Sequence, residues 1–484
     1  MSATQKKLIF SIAIAVVAVI FIVFIFNKSN LATNSEPEIT SVEGSGPNIQ
    51  TWNTKNGAKV LFVPTMQLPM LDLRVTFDAG AARDADKPGL ASLTNNMLDQ
   101  GAKLGKIKLS SDDIAERFDS IGARFGSSSL KDMALLSLRS LTDSKILNQS
   151  LETFMAVLQA PTFPQRDFDR NKKQMLISLK AQSQSPATIA SKLFYKNLFE
   201  NHVYSTSSSG TKKSIKALSI QDLKDFYAKY YVAKNAVIVM VGNLQLTQAT
   251  KIAEKISSGL AVGEKAVALI DAARYATAKT ISEQFPSSQT HIVMGNVGLK
   301  RGDKDYYALY VGNHILGGSG FSSRIVNEIR EKRGLAYSSY SYFVPMRVNG
   351  PFIIGMQTKN EQTQEALKIL NEVLVKFITE GPTAAELEHS KLNIAGGFPL
   401  RIDSNKEIVE YLAMIGFYDL PLDYLGTFVD NINTLTLEQI KDAFQRRVDP
   451  SKLLTIIVGD SKISKQILKP ATPLLDNSKN AVKK

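Results

Sequence analysis

Two polar side chains in the second half of this 484-residue chain, Arg330 and Tyr337, could bind or polarise an oxygen atom of a ligand. The guanidinium of Arg330 can donate a fork of hydrogen bonds to a carbonyl or a carboxylate. The phenol of Tyr337 can donate a hydrogen bond to a developing oxyanion. A structural interpretation is equally simple, because an arginine compensates the dipole at the end of a helix and a tyrosine is common in strands. The two residues alone leave both interpretations open.

A glycine-rich loop precedes this pair. Gly317, Gly318 and Gly320 flank Ser319 and predict a mobile loop, in which the chain turns sharply or the backbone approaches a ligand or a partner. A glycine-rich loop is more often a simple turn. The loop is therefore a weaker candidate for function than the arginine and the tyrosine.

A short helix is expected after this loop, capped by Ser322 or Ser323. It is expected to end near Gly334, which places Arg330 on its last turn and Tyr337 in the following strand. Its inward-facing residues are predicted to be apolar: Ile325, Val326 and Ile329.

Composition excludes several other kinds of site. The chain has no cysteine, which excludes a disulfide scaffold, a thiolate metal site, an iron–sulfur cluster and a cysteine nucleophile. Its four histidines are scattered, so no helix carries the two histidines of a zinc protease helix. The net charge of +13 favours an anionic partner. We expect no nucleic acid, because aromatic residues do not alternate with basic patches.

The N-terminus predicts a membrane anchor. Residues 8–26 are apolar except for Ser11 and are just long enough to span a bilayer, so residues 1–28 are interpreted as an uncleaved anchor. Lys6 and Lys7 predict a cytoplasmic N-terminus and, in a bacterium, a single-pass inner-membrane protein with its globular part in the periplasm. A cleaved signal peptide is the alternative, although its apolar stretch is usually shorter. An organelle membrane also fits the sequence.

Polar segments follow at both ends of the globular part. Residues 29–48 are rich in serine, glycine and proline and predict a flexible linker between the anchor and the globular part. Residues 470–484 are expected to form a basic tail.

The globular part contains an internal repeat. A helix and a buried strand ending at Gly242 recur 217 residues later at Gly459, and strands ending at Gly80 and Gly298 are 218 residues apart. Repeated strands and helices predict an α+β protein made of two homologous halves. The expected domains are 49–262 and 285–469, and residues 263–284 are expected to form the linker between them.

The string around Arg330 resembles the C-terminal half of the M16 peptidases, the superfamily of pitrilysin, insulinase and mitochondrial processing peptidase. The matching residues are LGGSG-x-SSR-x-x-x-EIREKRGLAY, and the likeness extends over residues 51–460. The resemblance implies two M16-type (LuxS/metallohydrolase-like) halves that close like a clamshell over a peptide. It also implies that Arg330 and Tyr337 contact the substrate.

The chain departs from that family where active members bind zinc. Active members carry H-x-x-E-H in the first half and a further glutamate downstream. Here Ser92 and Asn96 stand at the two histidine positions, Asn95 at the water-activating glutamate, and Asn171 at the third ligand. A hydroxyl and neutral amides cannot replace the imidazole and carboxylate ligands of zinc, and an amide is no general base. We expect no metal in this chain and no peptide hydrolysis by it alone.

The resemblance therefore implies a division of labour between two chains. This chain would bind peptides or unfolded segments through Arg330 and Tyr337. An H-x-x-E-H homologue would carry the zinc, forming a heterodimer or a larger complex. A scaffold or assembly protein that has kept the fold is the alternative. A third hypothesis is an active peptidase with an unrecognised site.

Overall fold

The computed structural model describes residues 39–42, 46–273 and 277–460. The predicted anchor 1–28, most of the predicted linker 29–48 and the predicted tail 470–484 lie outside the described residues. Within the described ranges, no helix is long and apolar enough to cross a membrane.

The described end of the predicted 29–48 linker contains regular structure. Thr40–Val42 forms strand β1, which pairs antiparallel with β2 (Ile49–Asn53). Gly46, between them, lies against the second half, since a Cβ on this residue would come within 2.8 Å of the backbone nitrogen of Gly426. The irregular conformation predicted for 29–48 is therefore wrong at β1. A three-residue edge strand is held by backbone hydrogen bonds, which a Ser/Gly-rich composition does not reveal.

The first half builds a seven-stranded sheet. Besides β1 and β2, this half contains seven more strands, two of which lie outside the sheet: β3 (Lys59–Pro64), β4 (Met70–Phe77), β5 (Gly101–Leu104), β6 (Ile107–Ser110), β7 (Arg124–Ser129), β8 (Ala134–Leu141) and β9 (Ala236–Gly242). The sheet has the order β1-β2-β3-β9-β4-β8-β7, and β5 and β6 form a separate hairpin. All residues of β9 are buried, as expected for a central strand with both faces covered.

The second half builds a five-stranded sheet. Its strands are β10 (Lys279–Gln284), β11 (Gln289–Val297), β12 (Ala336–Phe343), β13 (Pro351–Lys359) and β14 (Leu454–Gly459). The order β10-β14-β11-β13-β12 repeats the order β3-β9-β4-β8-β7 of the first sheet. The parallel pair is also repeated, as β3 with β9 and β10 with β14. The predicted duplication of one α+β unit is confirmed.

Strand β10 falls inside the segment 263–284 that was predicted to be a linker. It pairs in parallel with β14 over all six residues and forms one edge of the second sheet. Its side chains are exposed or half-buried, without the alternation that marks a strand in a sequence. The predicted linker therefore ends at Lys279.

Helices cover the sheets. They are α1 (Leu90–Asn96), α2 (Ser111–Asp119), α3 (Ser144–Gln159), α4 (Gln165–Gln182), α5 (Pro186–Phe199), α6 (Lys212–Ala217), α7 (Ile220–Tyr230), α8 (Leu246–Ser258), α9 (Tyr306–Asn313), α10 (Arg324–Val326), α11 (Thr363–Glu380), α12 (Ala384–Gly397), α13 (Asn405–Phe417), α14 (Tyr424–Asn433) and α15 (Leu437–Arg447).

Each half gives one helix to the sheet of the other half. Helix α5 packs on β11 and β14 of the second sheet, and α13 packs on β3, β4 and β9 of the first. Glycines permit the close approach: a Cβ on Gly416 of α13 would lie 2.6 Å from a methyl group of Val237, and one on Gly295 would lie 3.1 Å from the ring of Phe194. The hydrophobic cores are consequently shared between the halves.

A buried carboxylate adds polar contacts between the halves. Asp132, in the turn before β8, accepts hydrogen bonds from the hydroxyl of Tyr204 at 2.6 Å and from that of Tyr418 at 3.0 Å. It also accepts one from the backbone nitrogen of Arg347 at 2.8 Å. Two of these donors belong to the second half, so Asp132 fixes how the halves meet.

Candidate functional site

Arg330 lies between two aromatic rings. Its guanidinium carbon is 4.7 Å from the ring centroid of Phe321 and 4.7 Å from that of Tyr337. Both rings are largely exposed, Tyr337 by 82% and Phe321 by 66%. The two rings therefore hold the guanidinium by cation–π contacts, which leave its terminal N–H donors available to a ligand.

The polar surroundings of Arg330 leave donors unused. Its Nε lies 3.5 Å from a carboxylate oxygen of Glu331, and its terminal amino groups form no hydrogen bond with any described residue. An arginine that is oriented by stacking and has unused donors can bind a carbonyl or a carboxylate at small entropic cost.

The local fold places the pair as the sequence predicts, with one difference. Arg330 lies in the last turn before Gly334, whose φ is 61°, and Tyr337 lies at the start of β12. The inward-facing residues are confirmed as buried: Ile325, Val326 and Ile329. The helix itself is irregular, because α10 has only three residues and continues as a π-helical turn over Asn327–Glu331. Such turns are rare and are often found at functional sites.

The predicted cap forms different hydrogen bonds. Ser323 stands at the N-cap, but its hydroxyl donates to the carbonyl of Gly320 at 2.7 Å and accepts nothing from the helix. The hydroxyl of Ser322 also points back into the loop, at 3.3 Å from the carbonyl of Ser319. The expected capping bond is therefore wrong. The two serines instead stabilise the tight turn that carries Phe321.

The glycine-rich loop packs closely against β12. Gly317 and Gly318 belong to a π-helical turn over His314–Gly318. A Cβ on Gly317 would lie 2.7 Å from the backbone nitrogen of Ser341, and Gly320 has a φ of 64°. The close backbone approach that the sequence suggested is thus made to a strand of the same half.

The positions that bind zinc in active relatives lie on α1 and α4. Asn95 of α1 is fully buried, and its amide donates to the hydroxyl of Tyr231 at 3.2 Å. Ser92 is half-buried and Asn96 is exposed on the same helix. The amide of Asn171 on α4 donates to the backbone carbonyl of Asp167 at 3.0 Å, one turn earlier in its own helix.

These residues do not fit zinc. One hydroxyl and three amides offer neither an imidazole nor a carboxylate. No described residue donates a hydrogen bond to the buried Oδ1 of Asn95, and a neutral amide oxygen cannot take a proton from water near neutral pH. Among the residues that the structure describes, no group of three or more histidines, aspartates or glutamates could hold a metal ion.

A buried aspartate holds the start of α1. Asp84 accepts hydrogen bonds from the backbone nitrogens of Gly89 and Ala91, both at 2.7 Å. Burial raises the pKa of this carboxyl to about 7, against the lowering effect of the two backbone hydrogen bonds and of Lys131. Sequence reasoning missed Asp84, because it lies six positions before Leu90, the first residue of the helix, and not at the N-cap position itself.

A narrow groove lies beside the strand that carries Tyr337. Its volume is about 180 Å³, and it runs between α5 and the face of β12 that presents Ser338, Tyr340 and Tyr342. Among the described strands, β12 is the last of its sheet, so one row of its backbone groups has no partner strand there. An extended peptide can pair with such an edge.

The fold and the site together define a class of protein. Two homologous α+β halves share their cores, one half presents an arginine–tyrosine pair, and the described residues of the other contain no group of histidines and carboxylates that could hold a metal ion. This is the architecture of a metallopeptidase homologue without its metal centre.

Comparisons with known proteins identify the family. Residues 62–212 match the family profile described as Insulinase (Peptidase family M16), and residues 217–394 match the one described as Peptidase M16 inactive domain. A solved structure of a peptidase M16 inactive domain from Pseudomonas fluorescens is 41% identical, with a TM-score of 0.82, covering 86% of this chain and 98% of that one. The chain belongs to the M16 peptidase family and is a non-catalytic member of it.

Among relatives of lower sequence identity, some are named as non-peptidase homologues and others as zinc proteases. A protein from Helicobacter pylori named Non-peptidase homolog YmxG is 26% identical over 85% of this chain and 94% of its own length. A protein from Bacillus subtilis named Uncharacterized zinc protease YmxG is 25% identical over 81% of this chain and 94% of its own length.

Proposed function

We propose that this chain is the substrate-binding subunit of a membrane-anchored, heteromeric M16-type peptidase, in which an H-x-x-E-H homologue carries the zinc. The observation that carries the proposal is the stacking of Arg330 between Phe321 and Tyr337 with its terminal donors unused. A chain that serves only as scaffold needs neither an oriented guanidinium nor a largely exposed tyrosine beside it.

The chemistry of this chain in that complex is binding and orientation. The guanidinium edge of Arg330 donates to a peptide carbonyl or carboxylate, and the Tyr337 hydroxyl donates to an oxygen that gains negative charge. The free edge of β12 supports an extended peptide by backbone pairing. The substrates are peptides or unfolded segments, because an edge strand pairs only with an extended backbone.

The location of the complex is part of the proposal. The apolar run 8–26, with Lys6 and Lys7 before it, supports an anchor in the inner membrane with the N-terminus in the cytoplasm. The globular part then lies in the periplasm of a bacterium.

A peptidase assay tests the proposal. The full-length chain is assayed alone and mixed with the H-x-x-E-H homologue encoded nearest to it, using a mixture of unfolded peptides. We expect no cleavage by this chain alone and cleavage by the mixture. Arg330→Ala and Tyr337→Phe should each reduce the activity of the mixture about tenfold or more, since each removes a donor to the reacting peptide.

Arg333→Ala is the matched control. Arg333 lies on the same turn, but its guanidinium is paired with Glu328 at 2.6 Å, so its loss should leave activity nearly unchanged. Full activity in the Arg330 and Tyr337 variants would contradict the proposal and favour the alternative, a scaffold that has kept the fold. Zinc-dependent cleavage by this chain alone would contradict the interpretation of Ser92, Asn95 and Asn96.

A further inference from the structure

A cavity of about 1190 Å³ lies where the two halves meet. The first half supplies most of its lining, from α4, α5 and the segment 205–216. The second half contributes Val344 and Met346, which follow β12.

Positive charge dominates the lining of this cavity. It contains one carboxylate, that of Glu200, and six lysines: Lys131, Lys180, Lys192, Lys196, Lys212 and Lys216. The net charge of +13 is thus not confined to the ends of the chain. Six ammonium groups around one cavity focus a positive potential within it.

Five of the six lysines have no partner among the described residues. The ammonium groups of Lys180, Lys192, Lys196, Lys212 and Lys216 form neither an ion pair nor a hydrogen bond there. Arg324, by contrast, is paired with Glu386 at 2.6 Å. Like charges gathered without partners destabilise the empty protein, and an anionic ligand relieves that repulsion.

The sixth lysine anchors one wall of the cavity. Lys131 is half-buried, and its ammonium donates to the backbone carbonyl of Thr206. Burial lowers the pKa of Lys131 to about 8, against the raising effect of Asp84 and Asp132. The bond holds a hydroxyl-rich segment in place, whose side chains can donate to a carboxylate: Ser205, Thr206, Ser207, Ser208, Ser209 and Thr211.

Apolar side chains occupy the remaining wall. Leu176 and Leu179 come from α4, Tyr195 from α5, and Val344 and Met346 from the second half. A cavity with lysines and hydroxyls around an apolar wall fits a chain that carries carboxylates and apolar side chains together. A fully hydrated small anion would leave this wall without a partner.

The cavity adjoins the site described above. Pro88 in its lining directly precedes the cap of α1, and α4 carries Asn171 upstream of Leu176. Ser191 of α5 lines both this cavity and the groove along β12. A peptide that pairs with β12 beside Tyr337 can therefore continue into the lysine-lined cavity.

We infer that this cavity selects acidic peptide segments, so that the substrates of the complex are unfolded chains rich in aspartate and glutamate. The inference rests on the proposed peptide-binding function and adds the charge class of the peptide. Arg330 and Tyr337 of the second half bind the backbone of the peptide, and the lysines of the cavity bind the acidic side chains that follow in the peptide.

Binding of labelled peptides to the full-length chain tests the inference. Three unstructured peptides share one sequence of about 20 residues, with glutamate, glutamine or lysine at the same alternate positions. Fluorescence anisotropy should show the glutamate peptide binding about tenfold more tightly than the glutamine peptide, and the lysine peptide binding most weakly. The preference should fade between about 50 and 500 mM salt, because the lysines are partly exposed.

A charge-reversed pair and its control locate the preference. Lys180→Glu with Lys212→Glu should remove the advantage of the glutamate peptide and leave the affinity for the glutamine peptide unchanged. Lys173→Glu with Lys213→Glu makes the same change on the same two helices, α4 and α6, at exposed lysines outside the cavity. This control pair should keep the preference nearly intact.

The outcomes separate this inference from the proposed function. Equal affinity for all three peptides, lost in Arg330→Ala, would overturn the acidic preference and leave peptide binding in place. Binding of no peptide would contradict both. Equal loss of the preference in both lysine pairs would overturn the assignment to the cavity. Vesicles with an anionic lipid that displace the glutamate peptide from the cavity would assign the lysines to a membrane surface and overturn the inference.

Discussion

At the scale of single residues, the orientation of Arg330 depends on two rings from different elements. Tyr337 comes from β12, and Phe321 comes from the turn formed by the glycine-rich loop. Arg330 and Tyr337 could be identified from the sequence through their resemblance to a family motif. Phe321 could not, because a single aromatic residue in a glycine- and serine-rich loop belongs to no periodic pattern.

Removing the ring of Phe321 should weaken peptide binding through Arg330. A cation–π contact at an exposed site contributes about 0.5–1 kcal/mol, so Phe321→Ala should lower peptide affinity about two- to fivefold. Anisotropy titration with the full-length chain measures the change. The unfolding midpoint should stay nearly the same, because the ring is 66% exposed.

Leu400→Ala is the control for this prediction, since that side chain is 71% exposed and is not among the residues that contact Arg330. An equal loss of affinity in both variants would show that the effect of Phe321 is not specific to the stacked arginine.

The residues predicted to stand at the zinc positions of active relatives were identified from the sequence, but their surroundings were not. Asn95 contacts Tyr231, which is 136 positions away in the chain. Only the fold brings the two together, and no local pattern records the contact. A sequence can therefore show that metal-ligand residue types are missing, but it does not show which hydrogen bonds the residues at those positions make.

At the scale of elements, Asp84 stabilises the start of helix α1. The carboxyl accepts two backbone N–H groups and stands in for a normal cap. Its pKa is raised to about 7 in the folded state, chiefly by burial. The folded state therefore binds this proton more tightly than the unfolded state does. Stability from this group is fully present below about pH 4 and is lost as the pH rises through about 7.

Asp84→Asn should remove this dependence on pH. Between pH 4.5 and 7.5, the difference in unfolding free energy between the variant and the wild type should shift in favour of the variant by about 1–3 kcal/mol. Urea unfolding at intervals of one pH unit measures the difference, in which all other titrating groups cancel. A difference that stays constant with pH would contradict the raised pKa of Asp84.

The elements themselves were largely predictable, and the exceptions have physical causes. Apolar periodicity identified the strand that ends at Gly242 and its repeat at Gly459. The π-helical turns at His314–Gly318 and Asn327–Glu331 have no comparable signal in the sequence. A π-helical turn contains one residue more than an α-helical turn, and this extra residue does not alter the residue types that make up the helix. Strand β10 was missed because it lies at an edge of the sheet, without a buried face.

At the scale of the whole molecule, the duplication was predictable and the exchange of helices was not. The repeat offset predicts two similar halves, and the two sheets confirm it. Helices α5 and α13 occupy equivalent places in the repeat, and each has the apolar face of a helix that covers its own sheet. Tertiary packing decides which sheet a helix covers, and a pattern of apolar residues in the sequence does not indicate it.

Disturbing one exchanged helix should destabilise both halves together. Gly416→Val places a side chain against Val237 and Leu61 and should lower the unfolding free energy by about 1–3 kcal/mol. The single tryptophan, Trp52, is buried in β2 and reports on the first half, while circular dichroism reports on the whole. The two urea transitions should coincide and shift together to lower urea.

Gly396→Val is the control, because a Cβ at Gly396 meets open space. It should change the unfolding free energy by no more than a few tenths of a kcal/mol, and in the favourable direction, because valine has a slightly better helix propensity than glycine. A tryptophan transition separated from that of circular dichroism would show that the halves unfold independently and would contradict the shared core.

The exchange of helices also changes what a cut in the chain would do. Residues 264–271 form an irregular stretch between the halves, in which Val267 is 82% and Ile270 is 84% exposed. If a protease severed the chain there, each fragment would still hold a helix on the sheet of the other. Such a nicked molecule would persist as a noncovalent pair, and two halves made as separate polypeptides would complement each other. Either fragment alone would expose to water an uncovered sheet and the apolar face of a helix, so neither half could persist as a separate folded protein.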